Sequence, residues 1–168
     1  TTEYGSGVNQ ITKTLDAISK LKKKIQIIGL WPNPDAGSDD ISKGIRILRE
    51  NKKNFKMRFF RNFTPENFLK ILNNSSCIIG NSSAGIRESS FMGIPSVNIG
   101  SRQSNRERAS NVIDVSHNVA EIIRAINYQR NKKYKKSNLY GDGSAGKKIS
   151  NILSKVDLSV KKKLSYTS

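Results

Sequence analysis

The sequence predicts an α/β protein, a parallel sheet with helices on both faces. Three observations carry this. Short β-branched apolar runs alternate with longer stretches whose apolar residues recur every three or four positions. Clusters of Pro, Gly and Asn separate the two kinds of segment. The length of 168 residues suits one domain, and a hydrophobic content of 35% is enough for one core, which excludes wholesale disorder.

The elements follow in order. Val8, Ile11, Leu15, Ile18 and Leu21 mark one face of an opening helix. Residues 24–31 are too few and too β-branched for a helix and read as a buried strand. Residues 32–38 form a Pro/Gly/Asn loop, beside which Trp31 is either core or part of a substrate-facing surface. A helix from about 39 to 50 puts Ile41, Ile45 and Leu48 on one side, and 56–60 is the next strand. Thr64-Pro65-Glu66 starts a helix running to about Leu72, with Thr as N-cap, Pro at the first helical position and an acid in the first turn. Residues 77–80 are a strand, 81–85 a turn and 86–91 a short helix ended by Gly93-Ile94-Pro95. Strands at 96–100 and 111–115 follow; Asn118 caps a helix over about 119–128, and 145–153 is the last helix. No internal repeat appears, and the organisation expected is one domain over 1–155 with a basic, mobile tail over 156–168.

Two segments carry chemistry. In Gly80-Asn81-Ser82-Ser83-Ala84-Gly85-Ile86-Arg87-Glu88 a buried strand ends, small residues turn the chain, and a helix begins. Such a turn offers free backbone N–H groups to an anion. Ser82 and Ser83 add hydroxyl donors, Gly85 permits close approach, and Glu88 can accept two hydrogen bonds from a ribose diol. Ordinary N-capping by Asn or Ser accounts for the same residues. The second segment is Gly100-Ser101-Arg102-Gln103-Ser104-Asn105-Arg106-Glu107-Arg108, where three arginines follow a strand end. Guanidinium forks bind phosphate bidentately, and this loop is expected at the same sheet edge as Ser82; a charged exposed loop is the competing account. His117, with no acidic partner in view, reads as a turn residue rather than a general base.

Composition bounds the rest. Thirty Lys and Arg against thirteen Asp and Glu give a net charge of +17. Residues 130–168 hold eleven of those bases and two of the acids, so a nucleic-acid or anionic-surface module is a rival of another class. No aromatic interleaving supports it, and a solvated surface is the simpler account. The apolar runs fall far short of the ~20 residues a membrane span needs. The single cysteine, Cys77, excludes an internal disulfide framework and a cysteine zinc site, and points to a reducing, cytoplasmic compartment. Dispersed acids and one histidine suggest no metal site, and no cofactor is expected. The chain opens Thr-Thr-Glu-Tyr-Gly without Met or a signal pattern, which reads as a fragment lacking its upstream part.

With these motifs in view, the chain resembles the UDP-N-acetylglucosamine 2-epimerase family. The matching residues are Asn81 to Glu88, Phe91, Gly93, Pro95, Val97, Asn98, Gly100, Arg102, Gln103, Arg106 to Arg108 and Asn111 to Val115. Trp31 to Gly37 and Tyr140-Gly141-Asp142-Gly143 match further family segments, so most of residues 1–155 is covered. The resemblance implies the C-terminal half of a glycosyltransferase-B-type architecture: two Rossmann-like domains with the nucleotide sugar in the cleft between them. Thr1-Thr2-Glu3, the Trp31 loop and Ser101-Arg102-Gln103 lean towards the hydrolysing branch, which converts a UDP-N-acetylhexosamine and water to an N-acetylmannosamine-type sugar and UDP. A non-hydrolysing epimerase and a related glycosyltransferase are the alternatives within enzymes.

By position, the resemblance implies Ser82 and Ser83 on the diphosphate, Glu88 on the ribose, Arg102 near the phosphates and Arg106 as a weaker candidate. Phe68 aligns with an aromatic near the uracil, or is a core contact; Asn62 and Phe63 border the base. The implied mechanism is anti elimination of UDP to a 2-acetamidoglucal, followed by addition of water. Acid–base work at C2 would belong to the missing N-terminal domain, leaving this half inactive alone. Implied too are a homodimer of the full-length protein and a place in sialic acid or surface polysaccharide biosynthesis.

Overall fold

The computed structural model describes residues 7–21, 25–34, 37–51 and 57–157. In chain order these form α1 (Gly7–Ser19), β1 (Ile27–Leu30), α2 (Ser38–Asn51), β2 (Met57–Phe60), α3 (Pro65–Asn73), β3 (Ile78–Gly80), a 3-10 turn (Ser83–Gly85), α4 (Glu88–Met92), β4 (Ser96–Ile99), β5 (Val112–Val115), α5 (Val119–Gln129) and α6 (Ala145–Leu153). Strands alternate with helices, and every strand pairing is parallel. The expected parallel α/β arrangement is therefore present, with its hydrogen bonds divided between two ladders, β1-β2 and β3-β4-β5.

Sequence spacing explains what is buried. Leu15 and Ile18 of α1, Ile45 of α2 and Ile122, Ala125 and Ile126 of α5 turn one face of each helix into one core with Val97 and Ile99 of β4, α2 packing on α1 and α1 on α5. Each residue of β4 is buried, as a central parallel strand requires, and α5 packs against β4, β5 and α1. Ile27, Met57 and Phe59 close on the same core, so both ladders share it. Trp31 joins them: its backbone N–H donates to the Phe60 carbonyl at 3.0 Å, and its ring lies 5.9 Å from that of Phe59. Trp31 is half-buried and packs against the core.

The predicted caps fold as written. The Thr64 side chain accepts from the N–H of Asn67, with Pro65 at the helix start, and Asn118 Oδ1 accepts from the N–H groups of Ala120 and Glu121. α4 ends at Gly93 in the left-handed region, with φ of 72°, and the N–H of Ile94 donates to the Ser89 carbonyl at 2.8 Å.

The lysines at 132–136, which open the basic stretch after residue 130, stand on packed structure. Gln129 is fully buried: its Nε2 donates to the Ser96 and Asn111 carbonyls, both at 2.8 Å, and its Oε1 accepts from the Tyr134 hydroxyl at 2.7 Å. The N–H of Ser137 then donates to the Ser90 carbonyl at 2.9 Å, so residues 132–137 run back along α4. Beyond them, α6 buries none of its residues, and Ile149, Ile152, Leu153 and Val156 are exposed. Of the expected 156–168 tail, residues 158–168 lie outside the described residues, as do residues 1–6 at the chain start and Asp35 and Ala36 of the Trp31 loop.

Two predictions follow from these contacts. A Cβ on Gly93 would stand 2.5 Å from the Tyr134 carbonyl oxygen while its backbone stayed left-handed. Gly93→Ala should cost about 2–3 kcal/mol, read from the urea unfolding midpoint. At the start of α6, Asp142 Oδ1 accepts from the N–H of Ser144 at 2.9 Å and from its hydroxyl. These bonds and the Lys148 charge hold the Asp142 carboxyl down at about 2. The contribution of these bonds should therefore be full above the ordinary carboxylate range and vanish as pH falls towards about 2. The Ser144 amide shift followed against pH would titrate near about 2 rather than near 3.8.

Candidate functional site at the carboxyl ends of β3 and β4

The turn after β3 folds differently from the helix expected over 86–91. Ser82 Oγ accepts from the N–H of Ala84 at 3.3 Å, which winds Ser83–Gly85 into a 3-10 turn. The Ser83 carbonyl then takes the N–H groups of both Ile86 and Arg87 at 2.9 Å, and Ile86 is drawn wholly inside. α4 starts only at Glu88, so this acid is its first residue rather than one turn in. A five-residue helix carries little macrodipole, and the turn's affinity for an anion falls to local donors. Among the described residues, no backbone carbonyl accepts from the N–H of Ser82 or Ser83. Their hydroxyls add to these groups.

Gly85 and Glu88 occupy tighter surroundings than their sequence context suggested. A Cβ on Gly85 would lie 2.9 Å from Ser96 Oγ, so its bareness is accounted for by the close approach of β4. Glu88 is half-buried, and its Oε2 is shielded from solvent with no hydrogen-bond donor against it. A buried oxygen left without a donor is a costly state that an incoming hydroxyl would relieve.

The arginine loop lies against this turn, as expected. The Asn81 carbonyl accepts from Gln103 Nε2 at 2.9 Å and from Arg102 Nη1 at 3.3 Å. Arg102 is exposed beside the turn, and Arg106 is exposed further along the loop. Arg108 instead turns inward to Asp114 of β5, with Nε 2.9 Å from Oδ2. Burial raises the Asp114 pKa, but hydrogen bonds from Arg108 and Asn98 and the Arg108 charge outweigh it and hold the carboxyl below its ordinary value. The Tyr140 hydroxyl donates to the Glu107 carbonyl at 2.7 Å, so the Tyr140-Gly141-Asp142-Gly143 segment reaches the same loop. His117 packs its ring over Gly100, whose Cβ would stand 2.5 Å from Nε2.

The hydrogen bonds to the Asn81 carbonyl thus bring Arg102 beside the Ser82–Ser83 turn at the carboxyl ends of β3 and β4, while Gly85 lies against Ser96 at the amino end of β4 and Glu88 follows on α4. The carboxyl ends are where parallel α/β sheets bind ligands. Asn62 is exposed just beyond the carboxyl end of β2, with its Oδ1 accepting from the N–H of Phe63, and Phe68 is half-buried on α3. Among the described residues, no hydrogen bond or ring contact ties either of them to the Ser82 turn. The buried Gln103 and the Arg108–Asp114 pair were not singled out from sequence as separate parts of the site. Their signal was present only as a polar Gln among arginines and an Asp inside an apolar strand. Among the described residues, no group of three or more His, Cys, Asp or Glu side chains is placed to hold a metal ion.

Fold and edge together define a parallel α/β domain whose polar turn and arginine loop meet at the carboxyl ends of its strands, where such sheets bind ligands. The sequence model described as UDP-N-acetylglucosamine 2-epimerase matches residues 1–154, and the chain belongs to that family. It is 36% identical over 139 residues to the UDP-N,N'-diacetylbacillosamine 2-epimerase (hydrolyzing) of Legionella pneumophila, covering 82% of this chain and 36% of that protein. To the polysialic acid biosynthesis protein P7 of Escherichia coli it is 34% identical over 126 residues, covering 75% and 32%. Its fold is similar to that of the Methanocaldococcus jannaschii UDP-GlcNAc 2-epimerase solved with UDP-GlcNAc and UDP. The TM-score is 0.68 at 18% identity, over 90% of this chain and 43% of that one. The chain spans only about a third of the length of these curated relatives.

Cys77 lies half-buried against this core, and burial pushes its thiol up to about 12 against a weaker opposing hydrogen bond to the Val97 backbone. The thiolate is the reactive form. Cys77 should therefore resist a disulfide reagent at pH 8 in the folded protein and react within the mixing time in urea. Rapid labelling of the folded chain would refute this burial.

Proposed function

We propose that residues 1–155 form the UDP-binding C-terminal half of a hydrolysing UDP-N-acetylhexosamine 2-epimerase. The observation that carries the reading is the pair of hydrogen bonds from Gln103 and Arg102 to the Asn81 carbonyl, which joins the two motifs at one edge. The names of the hydrolysing relatives support the branch.

In this reading the free N–H groups and hydroxyls of Ser82 and Ser83 bind the diphosphate. Arg102 adds its guanidinium charge and Arg106 a second, more distant one. Glu88 takes the ribose hydroxyls with the oxygen that has no donor in the unliganded chain. Gly85 keeps the turn close to β4. Phe68 and Asn62 border the uracil. Anti elimination of UDP leaves a 2-acetamidoglucal, to which water adds. Negative charge builds on the leaving diphosphate as the bond to C1 breaks, and preorganised donors stabilise it there. Proton transfer at C2 falls to an N-terminal domain, in a homodimeric cytoplasmic protein.

Calorimetric titration with UDP at ~150 mM salt tests this. Glu88→Ala and Ser82→Ala should each weaken binding by about tenfold or more, since each removes hydrogen bonds that involve a charged group. Unchanged affinity in both variants, or no binding by the folded parent, would sink the reading.

A further inference from the structure

Arg108 spends its donors differently from its two neighbours. Nε donates to Asp114 Oδ2 at 2.9 Å. One terminal nitrogen donates to Asp114 Oδ1 at 3.1 Å and to the Gln103 carbonyl at 2.8 Å, and the other donates to the Arg106 carbonyl. Asp114 Oδ1 also accepts from Asn98 Nδ2 at 2.6 Å, and Asn98 is buried in β4. The loop is therefore folded around one guanidinium, which β4 and β5 orient. Gln103, whose carbonyl that guanidinium holds, is also the residue whose side chain donates to Asn81.

We infer that Arg108 and Asp114 are positioning residues of the nucleotide site. The pair sets the shape of the 101–108 loop, and through Gln103 and Arg102 it sets the aim of the Asn81–Ser83 turn. The inference rests on the UDP reading above. Only a planar fork can reach Asp114 and two loop carbonyls together; a lysine keeps the charge and loses that geometry. Half of the Asp114 side chain is exposed, so the ion pair adds little to global stability and its role is separable from folding.

The test is UDP titration of the parent, Arg108→Lys and Asp114→Asn, with amide hydrogen exchange of each without ligand. Both variants should bind UDP about tenfold more weakly. Exchange at Gly85, Ile86 and Arg87, whose N–H groups close the turn, should quicken. The Tm should move by no more than about 3 °C. If Arg108 acted only as positive charge, the pattern would reverse: Arg108→Lys would match the parent, and Asp114→Asn, with one anion fewer, would bind more tightly. That pattern, or affinities and exchange equal to the parent's, overturns the inference while leaving the UDP reading intact. A folded parent that binds no UDP overturns both. Should Asp114→Asn fail to fold, Arg108→Lys alone decides between charge and geometry.

Discussion

Two buried carboxamides hold the molecule together where its elements converge. Gln129 and Asn111 sit at the amino ends of β4 and β5, where parallel strands leave backbone groups that no ladder pairs. Gln129 closes the Ser96 and Asn111 carbonyls. Asn111 Nδ2 donates to the Ile94 carbonyl and to Ser89 Oγ, and its Oδ1 accepts from the Ser90 hydroxyl. One cluster thereby ties α4, β4, β5, α5 and the returning 132–137 segment. A polar network inside a core stabilises only when every member is satisfied, and here both carboxamides have partners at both ends. Among the described residues, shielded side-chain atoms without partners stand at both ends of β4: Ser96 Oγ at its amino end, and Asn98 Oδ1 and Gln103 Oε1 towards its carboxyl end, with Glu88 Oε2 on α4.

The amount legible in the sequence depended on how local each cause was. Thr64, Asn118 and Gly93 act within one turn of themselves, and each element boundary they announced was found. β4 reads Ser-Val-Asn-Ile, so its position as a fully buried strand rests on partners for Ser96 and Asn98 that local pattern does not show. The short helix after β3 was misread because its start depends on the Ser83 carbonyl accepting two N–H groups, a choice between 3-10 and α winding that spacing does not reveal. Gly85 looked like a phosphate contact because its neighbour Ser96 is eleven residues away in sequence. The returning segment was hidden by its lysines, since charge marks solvent on one side of a chain and says nothing of the backbone on the other.

The site follows the same division. Its two motifs were readable, and so was their common edge, because strand order in parallel sheets places successive carboxyl ends together. What holds them in register was not. Gln103 to Asn81 and Arg108 to Asp114 are side-chain contacts that depend on where β4 and β5 deliver the loop.

Three arginines in one loop illustrate why counting charges is a poor guide to an anion site. A net charge of +17 attracts any polyanion at long range, but that field is screened within about a Debye length at physiological salt and selects no atom. Selection requires donors fixed before the ligand arrives. Arg102 reaches the turn itself, Arg106 stands open to solvent, and Arg108 has turned away to carboxylate and carbonyls. The arginine with the most hydrogen bonds is thus the one least able to touch a phosphate. Its inward charge is balanced by Asp114, so the loop gains a fixed shape without adding another unspecific cation to the surface. Organised this way, the loop holds one guanidinium beside the Ser82 turn, leaves one open to solvent and fixes the third on a carboxylate.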